Sequence, residues 1–533
     1  MKRLGGNGIT SGREQRFAAA LLLMYAYLFL LHINTDLWFK LLIVYFPCIL
    51  LVLVSVLSAR IRGEKTELKI LLLFAAWMIF TRILNWDVSA YIERCRTEGI
   101  TYPDDALFIA GSVMPYLPMS ACFVLRGRSR ERFLDGVAVI TTAFSTVLAI
   151  ISLYAVLYKT PIPAPLGDGY LCLFVKSRLY VLGKNPNTGC MWFFLGFFFL
   201  VFLFFRTKSR LCRVLIVPAA LLNYVILAMT FSRNGMLSFS LCMGFLVLVL
   251  LLRLLSPKAA WEKLLCTVLV LGLLVPLTYK SFGLLTRGME NISNTLIEKR
   301  DAAQTPPMEE DGGAEVSGSG GAATLAYMCF GSADREVQRP QPLLIRTEGA
   351  SLALLASDGV SKDNGSGITY EDHRGFDDSG RIEIFKTIIP TMQNEPLRLL
   401  IGCLEKDSMK YTNEILGKDI INFHNTFLQI LCETGIIGLG LVLAFCVLLG
   451  RRVIRVLYSD APITISILAL MLVGVLFYNM LEVDLFISSD AACFAAYAAA
   501  GAVLAHSDEH HRRKPGKYEE PAGRRERKPP AAG

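Results

Sequence analysis

The sequence predicts an all-α polytopic membrane protein with about twelve transmembrane helices, both termini in the cytoplasm, and one large extracytoplasmic loop between helices 9 and 10. Three observations predict this fold. Of the 533 residues, 53% are hydrophobic and only 19% are charged, whereas a soluble domain carries about a quarter charged residues. The apolar residues fall in runs of about 17–22, the length that crosses a bilayer. Every second loop between the runs is basic.

Each apolar run is expected to be a helix, because a backbone surrounded by lipid must satisfy its own hydrogen bonds. The predicted spans are 17–33, 41–59, 68–84, 106–125, 136–157, 189–205, 211–229, 236–252, 264–282, 427–450, 462–481 and 485–504. Lys and Arg cluster before the first span and after every second span that follows. The positive-inside rule makes these loops cytoplasmic. The net charge of +9 therefore reflects membrane topology and gives no indication of nucleic-acid binding.

This topology divides the chain into four regions. They are a nine-helix membrane region (1–282), a large extracytoplasmic loop (283–426), a three-helix membrane region (427–505) and a basic cytoplasmic tail (506–533). Within the loop, about residues 300–378 are rich in Gly, Ala, Ser and acidic residues, and part of this stretch is expected to be disordered. Order is expected to return in SGRIEIFKTIIPTM, as a short helix that ends at Pro390.

Common signatures of soluble enzymes are missing from the sequence. The chain has no G-x-x-x-x-G-K-[ST] loop, which argues against ATP-driven transport, and no H-E-x-x-H or G-x-S-x-G motif. Four other clusters carry polar chemistry, and the predicted topology puts all of them at helix ends on the extracytoplasmic side. They are RLYVLGKNPNTG (178–189), TFSRNG (230–235), Arg381 in SGRIEIF, and HNTFLQILCETGIIG (424–438).

Arg233 lies in the short hairpin between the seventh and eighth predicted spans, beside Ser232. Arginine at this depth is costly unless it is paired or hydrated, and the positive-inside rule disfavours it on the outer face. One interpretation is snorkelling to lipid headgroups. The other is anion binding, since a guanidinium can donate two hydrogen bonds to a phosphate. Because arginine is disfavoured on the outer face, its presence there favours anion binding. Local sequence alone does not separate Arg178 and Arg381 from ordinary loop arginines.

The segment GKNPNTG has the composition of a turn that leads into a helix. Asn185 precedes a proline, and Asn187 or Thr188 is the candidate N-cap residue. A structural turn is the better interpretation from the local sequence.

His424 lies at or just before the N-terminus of a helix. The positive end of the helix dipole disfavours protonation there, so the histidine is expected to stay neutral near pH 7, as a general base must. The alternative is an interfacial histidine beside Asn425 as N-cap. Glu433 lies nine residues further on, which is about 13 Å along a helix, so the two side chains are not expected to touch. We expect an interfacial turn of helix followed by a span that starts near Gly435.

The order of His424 and Asn425, nine residues, then Gly435 and Gly438 resembles the signature of the bacterial O-antigen ligase and O-antigen polymerase family. These proteins are multispan glycosyltransferases of the GT-C type, in which the motif follows a large periplasmic loop and opens the next span. TFSRNG resembles the Ser-Arg turn of the family, SGRIEIF its second arginine motif, and the segment that starts at Arg178 its Asn-Pro-Asn motif. The resemblance covers about residues 175–450, from which the 300–378 insert departs.

The resemblance implies cell-surface polysaccharide biosynthesis in the bacterial cytoplasmic (inner) membrane, with the active site on the extracytoplasmic side. The donor would be a glycan on polyprenyl (undecaprenyl) diphosphate, and the acceptor a glycan, lipid or protein. Arg233 and Arg381 would bind the diphosphate and stabilise the charge that develops on it. His424 would orient or deprotonate the acceptor hydroxyl, which attacks the anomeric carbon with inversion.

The implied substrate-binding residues surround these three groups. They are Arg178, Asn185, Asn187, Asn425 and Ser232. No metal or other cofactor is expected, because the arginines would neutralise the phosphates and no carboxylate cluster in the sequence suggests a metal site.

Two other classes of protein remain as alternatives. A polytopic transporter or flippase of lipid-linked glycan fits an even number of spans, but the sequence lacks similarity between two halves and the long loop is placed asymmetrically. A membrane scaffold or sensor would need only the basic tail, which can bind anionic lipids. Glu482 and Asp484, in the turn between the last two spans, would be the next candidates for the base if His424 were dispensable, although a solvated turn explains them as well.

Overall fold

A computed structural model of the chain describes part of the sequence. The described residues are 7–33, 66–84, 114–164, 170–175, 178–182, 186–255, 260–304, 386, 388–390, 392–394, 396–402, 425–459, 461–480 and 491–513. Several predictions therefore lie outside the described residues. They are the span 41–59, the segment 305–378, the tail beyond 513, Asn185, Arg381, His424, Glu482 and Asp484.

The described residues form helices and one small sheet. The helices are α1 (Asn7–Ile33), α2 (Thr66–Leu84), α3 (Tyr116–Val124), α4 (Gly127–Tyr158), α5 (Pro186–Arg206), α6 (Arg210–Met229), α7 (Arg233–Leu255), α8 (Ala260–Gln304), α9 (Pro396–Ile401), α10 (Thr426–Leu457), α11 (Ile463–Asn479) and α12 (Ala491–Arg513). The strands are β1 (Ile162–Pro163), β2 (Tyr170–Val175) and β3 (Arg178–Val181).

Six helices among the described residues are long and apolar enough to cross a membrane, namely α4 to α8 and α10, and two shorter apolar stretches lie in α11 and α12. The chain is thus mostly helical with the architecture of a polytopic membrane protein, as the sequence predicts. The span count, the orientation and the large loop remain predictions. The chain divides into two compact units, Met1–Glu290 with Glu371–Gly533 and Asn291–Tyr370. Of the second unit the structure describes residues 291–304, which are helical.

Helix α5 lies at the centre of the packing in the first unit. It contacts α4, α6, α7, α11 and α12. In its most apolar stretch 72% of the residues are buried, whereas the corresponding fraction is 22% in α6 and 6% in α8. The sequence explains this position, because FFLGFFFLVFLFF supplies aromatic side chains all around the helix. Gly196 lets α5 approach α4 and α6 closely: a Cβ there would overlap the Ser145 hydroxyl and lie 2.8 Å from Asn223 Oδ1. Small residues serve the same purpose in other membrane helix interfaces.

Arginines tie helix ends together at one end of this unit. Arg206, the last residue of α5, donates hydrogen bonds to Glu131 Oε2 (2.7 Å) and Asp135 Oδ1 (3.0 Å) near the start of α4. Arg253 Nη2, near the end of α7, donates to Ser466 Oγ near the start of α11 (2.7 Å).

A third arginine at this end of the first unit joins three helices. Arg452 Nε of α10 donates to Glu67 Oε1 of α2 (3.1 Å), and its Nη1 donates to Ser507 Oγ of α12 (3.4 Å). Glu67 is buried. The arginines that make these ties all come from loops predicted to be cytoplasmic, so the contacts agree with the predicted alternation of basic loops.

The sheet is a departure from the all-α prediction. Its order is β1-β2-β3 with both pairs antiparallel, and Cys172 pairs with Val181. The sheet packs on α4 and α5 through buried side chains. The sequence analysis missed it because the strands are short and lie in a loop between two strong apolar runs, where alternation is weak.

The short loop helix predicted to end at Pro390 is described in part. Residues 386, 388–390 and 392–393 are helical, so helical residues also follow Pro390. The Pro390 carbonyl accepts a hydrogen bond from the Asn394 amide at 3.3 Å. Ile388 and Met392, on either side of Pro390, are buried against Leu428 and Cys432 of α10.

Candidate functional site

Helix α10 is broken at Gly435. This glycine has φ 68° and ψ −171°, a backbone conformation that is essentially restricted to glycine. Residues 426–434 and 436–457 are helical on either side. The prediction that a separate helical turn precedes a span starting near Gly435 is confirmed.

Helix α9 contacts this break backbone to backbone. Gly402, which follows α9, has φ 83°, and a Cβ there would overlap the carbonyl group of Glu433. A Cβ on Gly435 would overlap the Leu400 carbonyl and lie 2.6 Å from the Ile401 nitrogen. Both glycines have positive φ, which suits residues without a side chain. The pair therefore lets the loop helix meet the membrane helix at a distance that other residues do not permit.

Apolar side chains cover the first segment of α10 from the loop side. The buried members of this cluster are Ile388, Met392, Leu428 and Cys432. Below them, Gln429 Nε2 donates to Glu433 Oε1 at 2.6 Å, and both side chains are buried. The short segment of α10 is therefore held between α9 and the membrane helices by both apolar and polar contacts.

Trp77 of α2 secures the break from the other side. Its indole Nε1 donates to the Thr434 carbonyl at 2.7 Å. Carbonyl groups at a helix end need partners outside the helix. Gly438 makes room for this ring, because a Cβ there would lie 3.2 Å from Trp77 Cδ1 and would overlap the Thr434 hydroxyl. The two glycines of the G-x-x-G motif thus have different structural roles: Gly435 allows the break in α10, and Gly438 leaves space for Trp77.

Asn425 is the N-cap of α10, as the sequence predicts. Its Oδ1 accepts a hydrogen bond from the Leu428 amide at 3.0 Å, and its φ and ψ are extended. Its Nδ2 donates to the Met480 carbonyl just after α11, at 2.8 Å. The amide of Asn425 therefore both caps α10 and ties it to α11. His424 is the residue immediately before this cap.

The end of α11 bridges α10 and α5. Thr426 Oγ1 donates to Asn479 Oδ1 at 3.2 Å. The Tyr478 hydroxyl donates to the Asn187 carbonyl. Helix α5 begins at Pro186, so Asn187 lies in its first turn and is not the N-cap that the sequence predicted. Proline suits the first helical position because its fixed φ is helical and its missing N–H needs no partner there.

The TFSRNG turn joins α6 to α7 and lies against the start of α5. Ser232 Oγ accepts from the Gly235 amide at 3.1 Å, and the Ser232 carbonyl accepts from the Met236 amide at 2.9 Å, so Ser232 caps α7. Arg233 is the first residue of α7, and its side chain is exposed. A Cβ on Gly235 would overlap Cys190 Sγ of α5. Gly235 therefore lets the start of α7 abut the start of α5.

These contacts link three helix N-termini. Those of α5 and α10 contact the end of α11, and that of α7 contacts the start of α5. Each N-terminus carries the positive end of a helix dipole, equivalent to roughly half a charge. Arg233 adds a full positive charge where the dipole favours a negative one. Such an arrangement suits an anion, which backbone N–H groups and a guanidinium can bind together.

Arg178 lies apart from these residues. It is the exposed first residue of β3 and pairs with Val175, next to the turn between β2 and β3. The strand runs from there toward α5, where Val181 Cβ lies 3.2 Å from a Cβ built on Gly189. Three residues of strand put Arg178 about 10 Å from that junction. Contacts between helix ends thus link the starts of α5, α7 and α10, where Asn187, Ser232, Arg233 and Asn425 lie. Arg178 lies at the end of β3 that is further from these helix starts.

The family model described as O-antigen ligase matches residues 218–443. Residues 218–443 are therefore similar to the O-antigen ligase family. The predicted resemblance is confirmed over this stretch, which runs from α6 through the break in α10 and contains Arg233, Arg381 and His424. No curated protein and no solved structure matches the chain. The O-antigen ligase match does not extend to Asn185 or Asn187.

Several residues that contact the candidate site were not recognised from the sequence. They are Trp77, Gly402, Tyr478 and Asn479. Tyr478 and Asn479 could have been noticed in the sequence, because they are polar residues at the end of the otherwise apolar run of α11. No local feature of the sequence indicates the roles of Trp77 and Gly402. No group of three or more His, Cys, Asp or Glu that could hold a metal ion occurs among the described residues.

Proposed function

We propose that the protein is a membrane glycosyltransferase that moves a glycan from a polyprenyl (undecaprenyl) diphosphate donor to an acceptor hydroxyl outside the cytoplasm. The family match supports an O-antigen ligase-like activity in polysaccharide biosynthesis. The finer proposal is supported by the contacts that link the starts of α5, α7 and α10. Arg233 is the first residue of α7, and His424 precedes the Asn425 cap of α10. This end of the helices is opposite the arginine ties of the basic loops.

In the proposed reaction, the diphosphate of the donor lies against Arg233 and the starts of α5 and α7. The bond between the anomeric carbon and the phosphate oxygen breaks, and the diphosphate leaves with the bonding electrons. Arg233 and Arg381 stabilise the charge on this leaving group. Exposed and located at a positive helix end, Arg233 favours an anion more than a neutral ligand.

His424 supplies the base in this proposal. It accepts the proton of the acceptor hydroxyl as the oxygen attacks the anomeric carbon from the opposite face, which inverts the configuration. The Asn425 cap supports this role, because it fixes the backbone at the start of α10, one residue after His424 in the sequence. No step in this mechanism requires a metal ion.

The test uses purified protein in liposomes with a polyprenyl-diphosphate oligosaccharide, and a gel separates products by size. His424→Ala is expected to lower the transfer rate by about 10²–10⁴-fold, the usual worth of a general base. Arg233→Ala is expected to lower it by about 10²–10³-fold, as for the loss of one donor to a developing charge. Arg213→Ala is the matched control, because Arg213 is exposed at the start of α6 and contacts the Thr207 carbonyl.

A ladder of longer lipid-linked glycans would identify a polymerase, and a single adduct on an added lipid, sugar or protein acceptor would identify a ligase. Transfer that survives Arg233→Ala and His424→Ala but fails in Arg213→Ala would refute the proposed site. Movement of the donor across the bilayer without any new glycosidic product would refute the transferase and favour a transporter.

A further inference from the structure

Three consecutive residues at the end of α11 each contact a different part of the candidate site. Tyr478 donates its hydroxyl proton to the Asn187 carbonyl in the first turn of α5. Asn479 Oδ1 accepts from Thr426 Oγ1, and the Met480 carbonyl accepts from Asn425 Nδ2, both at the start of α10. The end of α11 therefore connects the start of α5, where the diphosphate is proposed to bind, with the start of α10, which follows the proposed base.

The central contact is fixed on both sides. Asn479 Nδ2 donates to the Val475 carbonyl at 2.7 Å, which orients the amide so that Oδ1 faces Thr426. Thr426 and Asn479 are completely buried, and Tyr478 is nearly so. Buried polar groups in contact with several partners hold one geometry, because any other arrangement leaves a polar atom without a partner.

The location of these bonds suggests a role beyond stability. Other buried interhelical hydroxyl contacts, such as Tyr25 to Thr141 at 2.6 Å, join α1 and α4 far along the chain from the site residues. Thr426, by contrast, lies two residues after His424. The contact with Asn479 therefore fixes the first turn of α10, which follows His424 directly in the sequence.

We propose that Tyr478 and Asn479 are positioning residues, which set the distance between the base at the entry of α10 and the anion site at the starts of α5 and α7. This inference rests on the proposed function. Neither residue needs to touch the substrate. A misplacement of reacting groups by about 1 Å can cost about 100-fold in rate, so these bonds affect the chemical step more than donor binding.

The experiment compares three variants with the wild-type protein in the liposome assay. Thr426→Val removes the hydroxyl that bonds Asn479 and keeps the side-chain shape. Thr426→Ser keeps the hydroxyl and is the rescue variant. Tyr478→Phe removes only the bond to the Asn187 carbonyl. Rates are measured per folded molecule after size exclusion, and donor binding is measured as the rise in Tm when the donor is added.

We expect Thr426→Val and Tyr478→Phe to lower kcat by about 10–100-fold, with KM and the donor-induced rise in Tm close to those of wild type. Thr426→Ser should restore kcat. Thr141→Val is the matched control, since it removes a buried hydroxyl contact elsewhere and should leave kcat per folded molecule unchanged.

Equal kcat in Thr426→Val, Thr426→Ser and wild type would overturn the positioning role while leaving the proposed function intact. A parallel loss of kcat in Thr141→Val would also overturn it, because the effect would then be general destabilisation. A wild-type protein that transfers no glycan would instead refute the proposed function, and the positioning role with it.

Discussion

Replacing Gly435 by alanine should detach the loop helix from the broken membrane helix. Gly435 has φ 68° and ψ −171°, and a side chain in that conformation costs about 1–3 kcal/mol. The added Cβ would also overlap the Leu400 carbonyl, and relieving such an overlap costs about 1–3 kcal/mol more. The free energy of unfolding should therefore fall by about 2–6 kcal/mol, or α9 should separate from α10.

Gly440→Ala is the matched control for this prediction. Gly440 lies on the same helix, is exposed, and has no atom within 4 Å of a built Cβ. The same change should there be neutral or should stabilise the helix by up to about 1 kcal/mol, because glycine is the poorer helix former. The sign of the effect thus depends only on the break and its contact with α9.

Two measurements in detergent check the Gly435 prediction. Thermal unfolding should rank Gly435→Ala below wild type, and Gly440→Ala at or above it. Limited trypsin digestion should cut after Lys386 and Arg398 faster in Gly435→Ala, because local opening exposes the backbone of that segment. Equal melting temperatures and equal cutting rates for Gly435→Ala and wild type would refute the reasoning from backbone conformation.

Three further predictions concern contacts elsewhere in the first unit. Trp77→Phe removes the bond to the Thr434 carbonyl and should lower the free energy of unfolding by about 0.6–1.7 kcal/mol, the range for such bonds between membrane helices; an unchanged Tm would contradict this. Glu67→Gln breaks the buried pair with Arg452 and should lower the free energy of unfolding by about 3 kcal/mol. Glu131→Gln at the exposed pair with Arg206 should lower it by less than about 1 kcal/mol. A larger fall in Tm for Glu131→Gln than for Glu67→Gln would refute this ranking. Burial raises the pKa of the Cys172 thiol to about 11, although the Ser152 hydroxyl lowers it somewhat, so the thiol stays protonated at pH 8 and iodoacetamide should label it more slowly than the exposed Cys212. Its labelling rate should increase about tenfold per pH unit below pH 11, and a rate independent of pH would count against this assignment.

The membrane helices could be predicted from the sequence because they depend on length and apolarity alone. Every predicted span that the described residues cover overlaps a helix, and 211–229 matches α6 (Arg210–Met229) closely. The end of the ninth span was wrong, since α8 continues from the predicted end at 282 to Gln304. The entry of α10 could also be predicted, since Asn425 has the chemistry of an N-cap and Gly435 that of a break. These are local preferences, and local preferences act within a few residues of their own position.

The contacts that build the site could not be predicted, because they join residues far apart in the chain. Nothing in the local sequence shows that Trp77 reaches Thr434, or that Gly402 lies against Glu433. Such pairs arise only after the helices have packed. The start of α5 was predicted two or three residues too late for a local reason: the preference of proline for the first helical position prevailed over the capping tendency of Asn187 or Thr188.

The polar bonds of the candidate site occur at helix ends for a physical reason. Within a span each backbone group has a partner in its own helix, whereas the first amides and last carbonyls of a helix have none. At the start of α10 and the end of α11, side chains and backbone satisfy each other: Asn425 serves the Leu428 amide and the Met480 carbonyl at once. The same arrangement presents the amides at the starts of α5 and α7 beside Arg233. The proposed transferase activity needs positive charge beside its diphosphate leaving group, and we propose that Arg233 and the starts of α5 and α7 supply it.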